Sequence, residues 1–134
     1  MRDNSPNPNG KSIRVLLVDD EANLLRVIAR GLTRFGFEVT SSENPALAIE
    51  QLRKEADKFD VFVTDYGMPD IDGIMAAQLA REVRADLPIL LLSGFLDAKR
   101  TDDAMTVGVT RVLFKPILTK RLAELILEVL STKL

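Results

Sequence analysis

Five residues are of the types and spacing that could do chemistry together. Asp19 and Asp20 end the run "VLLVDD" (15–20), Asp65 ends "DVFVTD" (60–65), Ser93 ends "LPILLLS" (87–93), and Lys115 stands in "FKP" (114–116). Adjacent carboxylates repel, and each further carboxylate brought near raises the cost of keeping all of them ionised. A hard divalent cation such as Mg2+, which takes oxygen ligands, relieves that cost. The chain contains neither His nor Cys, so a softer metal would find a poor ligand set. A cation and an ammonium around a carboxylate also suit phosphoryl transfer, whose transition state spreads negative charge over oxygens. One carboxylate would be the nucleophile and form an acyl phosphate. Asp65 is our choice, because a central strand end would set it opposite the Asp19 and Asp20 pair, in reach of Ser93 and Lys115.

These residues can meet only if the intervening segments bring them to one rim. From Ile13 onward, short apolar runs alternate with stretches of helical period. The strands read as 13–18, 37–40, 60–65, 87–93 and 109–114. The first helix would turn Leu24, Leu25, Ile28, Leu32 and Phe35 inward and stop at Gly36. Asn44 reads as a cap with Pro45 at the first position of the next helix, which holds Leu47, Ile49 and Leu52. The turn-rich "YGMPDIDG" precedes a helix with Met75, Leu79, Ala80 and Val83 inward. A fourth helix, about 97–107, has a thin apolar stripe, and the last carries Leu122, Leu125, Ile126, Val129 and Leu130 on its inner face. Repeated βα units mean parallel strands joined by right-handed crossovers. The second and fifth strands are interrupted by polar residues, as edges can be, whereas the other three are near-continuous apolar runs. The order is therefore 2-1-3-4-5, a flavodoxin-like α/β sandwich whose ligands bind at the carboxyl ends beside the switch between strands one and three.

Composition narrows the function further. The 134 residues are 46% apolar, enough for one core and too few for a second domain. With 18 basic and 20 acidic residues the formal charge is -2, which gives no bulk attraction for nucleic acid or an anionic membrane. The lack of His excludes a Ser-His triad and an internal phosphohistidine donor. The apolar runs are too short to span a bilayer, and with no signal core or cysteine the expected location is the cytoplasm. Residues 1–12, rich in Asn, Pro and Ser, read as a disordered lead-in or linker, and 13–132 as the domain. The "GKS" at 10–12 is no phosphate loop, because the required earlier Gly position holds Ser5.

Taken in order, "LLVDDE" (16–21), "VTDYGMPDIDG" (63–73), "LLLSG" (90–94) and "FKP" (114–116) resemble the receiver domains of two-component response regulators. The resemblance spans about residues 13 to 132 and is specific because each motif falls at a strand end. It implies that Asp65 is the phosphoacceptor, and that Asp20, Asp65 and the backbone carbonyl of Gly67 bind Mg2+, with Asp19 acting through metal-bound water. It implies too that Ser93 and Lys115 grip the phosphoryl oxygens and that the Lys115–Pro116 bond is cis. The donor would be a histidine kinase or histidine phosphotransfer protein, and the output surface, helix four with strand five and helix five, would change its affinity for a downstream protein. Such couplings are typically about 1–3 kcal/mol. No direct nucleic-acid contact and no membrane insertion are expected. Many receivers carry an aromatic switch residue three before the lysine, where this chain has Val112; Phe114 lies too far along to replace it. Gly67 offers no side chain to orient an attacking water and Phe95 is bulky, so slow self-dephosphorylation is expected. The chain would be a single-domain regulator or the receiver of a longer protein such as a hybrid kinase, and "DLPILLLSGF" leans towards the latter.

Plainer roles weigh against several residues. Asp19 and Asp20 could merely cap a helix, and Glu21 reads as such a first-turn acid. Asp70 and Asp72 fit a turn into Gly73 better than a second metal site. The Lys99–Arg100 and Lys120–Arg121 pairs read as solvated faces, although they lie on the expected output surface. Two other functions compete: a Mg2+-dependent phosphatase or phosphotransferase acting on a free substrate through Asp65, and a receiver-like scaffold that takes no phosphate. The first lacks a D-x-D at the nucleophile, since Tyr66 and Gly67 follow Asp65, and the second would be expected to lose the carboxylates and lysine that are all present.

Overall fold

The structure, a computed structural model, describes residues 12–131; the expected polar lead-in falls almost wholly outside them, as does the domain limit at 132. Strands β1 (Arg14–Val18), β2 (Glu38–Ser42), β3 (Val61–Asp65), β4 (Ile89–Ser93) and β5 (Arg111–Phe114) alternate with helices α1 (Ala22–Arg34), α2 (Pro45–Lys54), α3 (Gly73–Val83), α4 (Ala98–Thr106) and α5 (Thr119–Ser131). A single 3-10 turn, Ala56–Lys58, precedes β3. The sheet is parallel throughout and ordered β2-β1-β3-β4-β5. That is the predicted flavodoxin-like order, with β2 and β5 at the edges.

Strand side chains alternate between two apolar layers. Leu16, Val18, Phe62, Ile89 and Leu91 face α2, α3 and α4, where Ile49, Leu52, Ala76, Ala77 and Ala80 meet them. Val15, Leu17, Val63, Leu90 and Leu92 face α1 and α5, against Ile28, Leu32, Leu122 and Ile126. Burial of each such Leu or Ile stabilises the fold by roughly 1.5–3 kcal/mol before entropy is counted. Helix starts are set by polar side chains: Asn44 accepts from Leu47 N, Asp72 from Met75 N and Asp97 from Arg100 N. Gly36, with φ 97°, turns the chain out of α1, a backbone state that favours glycine.

Two expected core residues point outward. Phe35 is 39% exposed at the α1 C-cap, where the chain leaves helical geometry and the face of Leu25, Ile28 and Leu32 no longer continues. Met75 is 46% exposed, since α3 buries Ile74, Ala76, Ala77 and Ala80, and Met75 lies off that stripe. The second strand begins one residue later than 37–40 and runs on to Ser42, because pairing with β1 carries the polar Ser41 and Ser42 along. Pro88 has no N–H for the ladder, and the fourth strand begins after it, although its carbonyl accepts from Phe62 N.

At the amino ends of the strands, three arginines tie neighbouring loops together. Arg14 pairs with Asp60, Arg81 donates to the carbonyls of Ala85 and Gly108, and Arg84 donates to those of Ala56 and Phe59. Among the described residues, no helix is long and apolar enough to cross a membrane.

Candidate functional site

The carboxyl ends of β1, β3, β4 and β5 bring the five sequence candidates to one rim. Asp19, Asp20 and Asp65 each offer a carboxylate oxygen, and these oxygens lie within 4.8 Å of one another. The strands explain the convergence. β1 pairs with β3, so the residues just beyond Val18 face Asp65, while β4 and β5 in register deliver Ser93 and the start of the Lys115 loop alongside. Lys115 N donates to the Ser93 carbonyl at 2.8 Å, which ties the lysine segment to the end of β4. The Lys115–Pro116 bond is cis, as the resemblance implied.

Burial distinguishes the carboxylates. Asp19 and Asp65 are buried and Asp20 is exposed. Lys115 Nζ sits 2.5 Å from Asp65 Oδ1 and 3.7 Å from Asp19 Oδ2. Asp19 Oδ1 accepts from Glu21 N at 2.9 Å, whereas Oδ2 is buried with no hydrogen-bond partner. A buried carboxylate oxygen with no donor is costly, and one ammonium too far to bond it compensates only in part. Burial pushes the Asp65 carboxyl above the usual range; the hydrogen bond from Lys115 opposes this, and the charges of Asp19 and Asp20 add to it. Burial pulls the Lys115 ammonium down, but its hydrogen bond with Asp65 and the charges of Asp65, Asp19 and Glu21 outweigh that and hold it above the usual value.

These donors fit a hard divalent cation. The set is all oxygen, one buried oxygen has no hydrogen-bond donor, and the net charge of three carboxylates and one ammonium is negative. A cleft of about 230 Å³ lined by Asp20, Asn44, Pro69 and Asp70 opens beside the exposed carboxylate. Gly67 is exposed in the loop after Asp65, and a side chain there would meet nothing within 4 Å. Ser93 is buried, and its hydroxyl donates to the Phe95 carbonyl at 2.8 Å, a bond within its own loop.

Gly73 holds this rim together from behind. A Cβ on it would lie 2.4 Å from the Asp65 carbonyl oxygen and 2.5 Å from Leu91 Cδ1, so α3 can pack this close only at a glycine. Its N–H donates to Tyr66 O at 2.8 Å, closing the loop 66–72 on itself. Asp72 caps α3 and Asp70 takes the turn with φ 68°, so both act in the turn as expected. Glu21 stands at the α1 N-cap, one position before the first helical turn, and makes no capping bond with its side chain.

Arg100 departs from its expected role as part of a solvated face. Its guanidinium donates to Tyr66 Oη at 3.0 Å, to Asp72 Oδ2 at 3.1 Å and to Asp103 Oδ2 at 3.3 Å, and lies 5.5 Å from the centre of the Tyr66 ring. Its neighbour Lys99 does stay in solvent, paired with Asp103 at 3.6 Å. Sequence reading missed Tyr66 and Arg100 because they are 34 residues apart and only the fold brings them together. The one available signal was the position of Tyr66, directly after Asp65.

Val112 is partly buried against the layer of α2, α3 and α4, while Phe114 is 53% exposed. Phe95 is 78% exposed in the loop before α4.

A family model described as response regulator receiver domain matches residues 15–127. The two-component response regulator ARR10 of Arabidopsis thaliana is 34% identical over 113 residues, 84% of this chain and 20% of that protein. The chain thus spans about a fifth of the length of this plant relative. The response regulator receiver protein CpdR of Brucella abortus (strain 2308) is 35% identical over 103 residues, 77% of this chain and 84% of that one. Among solved structures, the CheX-CheY-BeF3-Mg+2 complex from Borrelia burgdorferi contains a chain of the same fold, with a TM-score of 0.83. It is 20% identical, and the match covers 94% of this chain and 92% of that one.

Proposed function

The chain belongs to the response regulator receiver domain family, and on that premise we propose that Asp65 accepts a phosphoryl group from a phosphohistidine donor. The observation that carries this reading is the buried Asp65 carboxylate, held at 2.5 Å by Lys115 and flanked by Asp19 and Asp20. Asp20, Asp65 and the Gly67 carbonyl would hold Mg2+, with Asp19 reaching it through water; the Mg2+ recorded for the Borrelia relative supports that choice. When bound, the cation supplies positive charge to the transferring phosphoryl oxygens.

The chain's own residues do the rest. An Asp65 oxygen attacks phosphorus; the P–O bond forms as the P–N bond breaks, and its electron pair leaves with the donor imidazole. Lys115 gives up its contact with Asp65 Oδ1 and meets a phosphoryl oxygen instead. Ser93 turns its hydroxyl from the Phe95 carbonyl to another. The donor is a histidine kinase or a histidine phosphotransfer protein, as the chain has no histidine of its own. Partner affinity then changes at the surface of α4, β5 and α5. With Gly67 offering no side chain to aim a water, the acyl phosphate is lost slowly.

The test is incubation of the chain with Mg2+ and acetyl phosphate, followed by intact mass. A single phosphoryl adduct that outlasts minutes and disappears in Asp65→Asn is expected. Multiple turnovers of a free phosphoester would make the protein a phosphatase, and no adduct at all would leave it a scaffold; either overturns the reading.

A further inference from the structure

Arg100 joins three parts of the molecule. It stands in the first turn of α4, and its guanidinium reaches Tyr66, the residue after Asp65, and Asp72, the cap of α3. It therefore closes both ends of the loop 66–72 on α4. We infer that Arg100 is a positioning residue that holds α4 in its present register through Tyr66 and Asp72, and that loading of Asp65 releases it. This inference rests on Asp65 being the phosphoacceptor.

The physical reason lies in the loop between β4 and α4. Ser93 now donates to Phe95 O at 2.8 Å, and turning that hydroxyl to a group on Asp65 removes a bond that folds the loop on itself. Four residues further on, Asp97 caps α4 by accepting from Arg100 N at 2.8 Å, so a shift of the loop is passed to the Arg100 backbone. The side-chain bonds of Arg100, at 3.0 Å and 3.1 Å, have little slack, because hydrogen bonds weaken steeply beyond about 3.2–3.5 Å. α4 cannot follow the loop without giving them up. Its own hold on the core is slight, with Ala104 its one buried residue. The contacts made by Arg100 thus go with the Ser93–Phe95 bond and oppose its release. Removing them makes loading easier and takes away the signal that loading sends.

The chain provides a reporter. Tyr66 is its one tyrosine and there is no tryptophan, so intrinsic emission comes from the ring that Arg100 touches. The full chain with Mg2+ is titrated with beryllofluoride, bound fluoride is followed by fluorine NMR, and tyrosine emission and hydrogen exchange in α4 are recorded. In the wild-type chain, loading should move the emission towards that of unloaded Arg100→Ala and speed exchange at the start of α4. Arg100→Ala should bind beryllofluoride about fivefold more tightly or better, the lower end of usual couplings. Its α4 exchange should be fast before loading and change little on loading. Arg100→Lys should behave like Arg100→Ala, since a point charge cannot span Tyr66 and Asp72 as the planar fork does. Tyr66→Phe should give part of the gain, and the double variant less than the sum. An Arg100→Ala chain with unchanged or weaker beryllofluoride affinity, or with an undiminished α4 response, would overturn the inference while leaving the phosphoacceptor reading in place. Bound fluoride missing from the wild-type chain would overturn both.

Discussion

Asp19 and Asp65 place two carboxylates in the interior beside a third at the surface, with one lysine to serve the two buried groups. The arrangement suits a cation and a phosphoryl group better than it suits the bare fold. The sign of the effect follows from the Asp65 carboxyl, which is raised by its burial and by Asp19 and Asp20 despite Lys115. A carboxyl raised by folding helps the folded state below its unfolded value and costs stability once pH has risen past the folded value. At neutral pH without Mg2+, Asp65→Asn should therefore raise the urea midpoint. The gain should fade in acid, where wild-type Asp65 is already protonated. A lower midpoint at pH 7 would mean that the Lys115 bond outweighs the repulsion.

At the scale of elements, the rim depends on how closely α3 approaches β3 and β4. Gly73→Ala would put a methyl group into the Asp65 carbonyl and Leu91, and the loss should be roughly 1–3 kcal/mol, as for other overpacked sites. Gly67→Ala, with open space around it, should stay within about 0.5 kcal/mol. Urea denaturation of the two variants side by side checks the contrast. Strand ends were legible in the sequence because apolar runs stop abruptly at Asp19, Asp65 and Ser93, and the polar interruptions in the second and fifth strands marked them as edges. The thin stripe read in the fourth helix is real, since only Ala104 of α4 is buried. Phe35 and Met75 were misread because hydrophobicity alone does not say which side of a stripe faces the sheet. The Arg100 contacts were illegible for a different reason. They link the segment after β3 to the one after β4, and no local pattern encodes a pairing across that distance.

For the molecule as a whole, the site exists only when four strand ends are brought together, so its ligand should report on global stability. Mg2+ at about ten times its dissociation constant should stabilise the native state by roughly 1.4 kcal/mol, or about 3–5 °C in Tm for a domain of this size. Thermal unfolding in Mg2+ and in EDTA measures this, and Asp20→Asn should abolish most of the difference. Equal shifts in both chains would mean that the cation acts elsewhere. The family match covers most of the described fold, while ARR10 extends far beyond the length matched here.

The three arginines at the amino ends of the strands give this design an orientation. Arg14, Arg81 and Arg84 fasten the loops at that end to one another through carbonyls and a carboxylate, whereas the opposite end carries the repelling carboxylates and the loosely seated α4. The loops at the foot are thus fastened to one another, while Ala104 is the one buried residue of α4. A perturbation at the head should therefore be felt less among these fastened loops than at the rim itself.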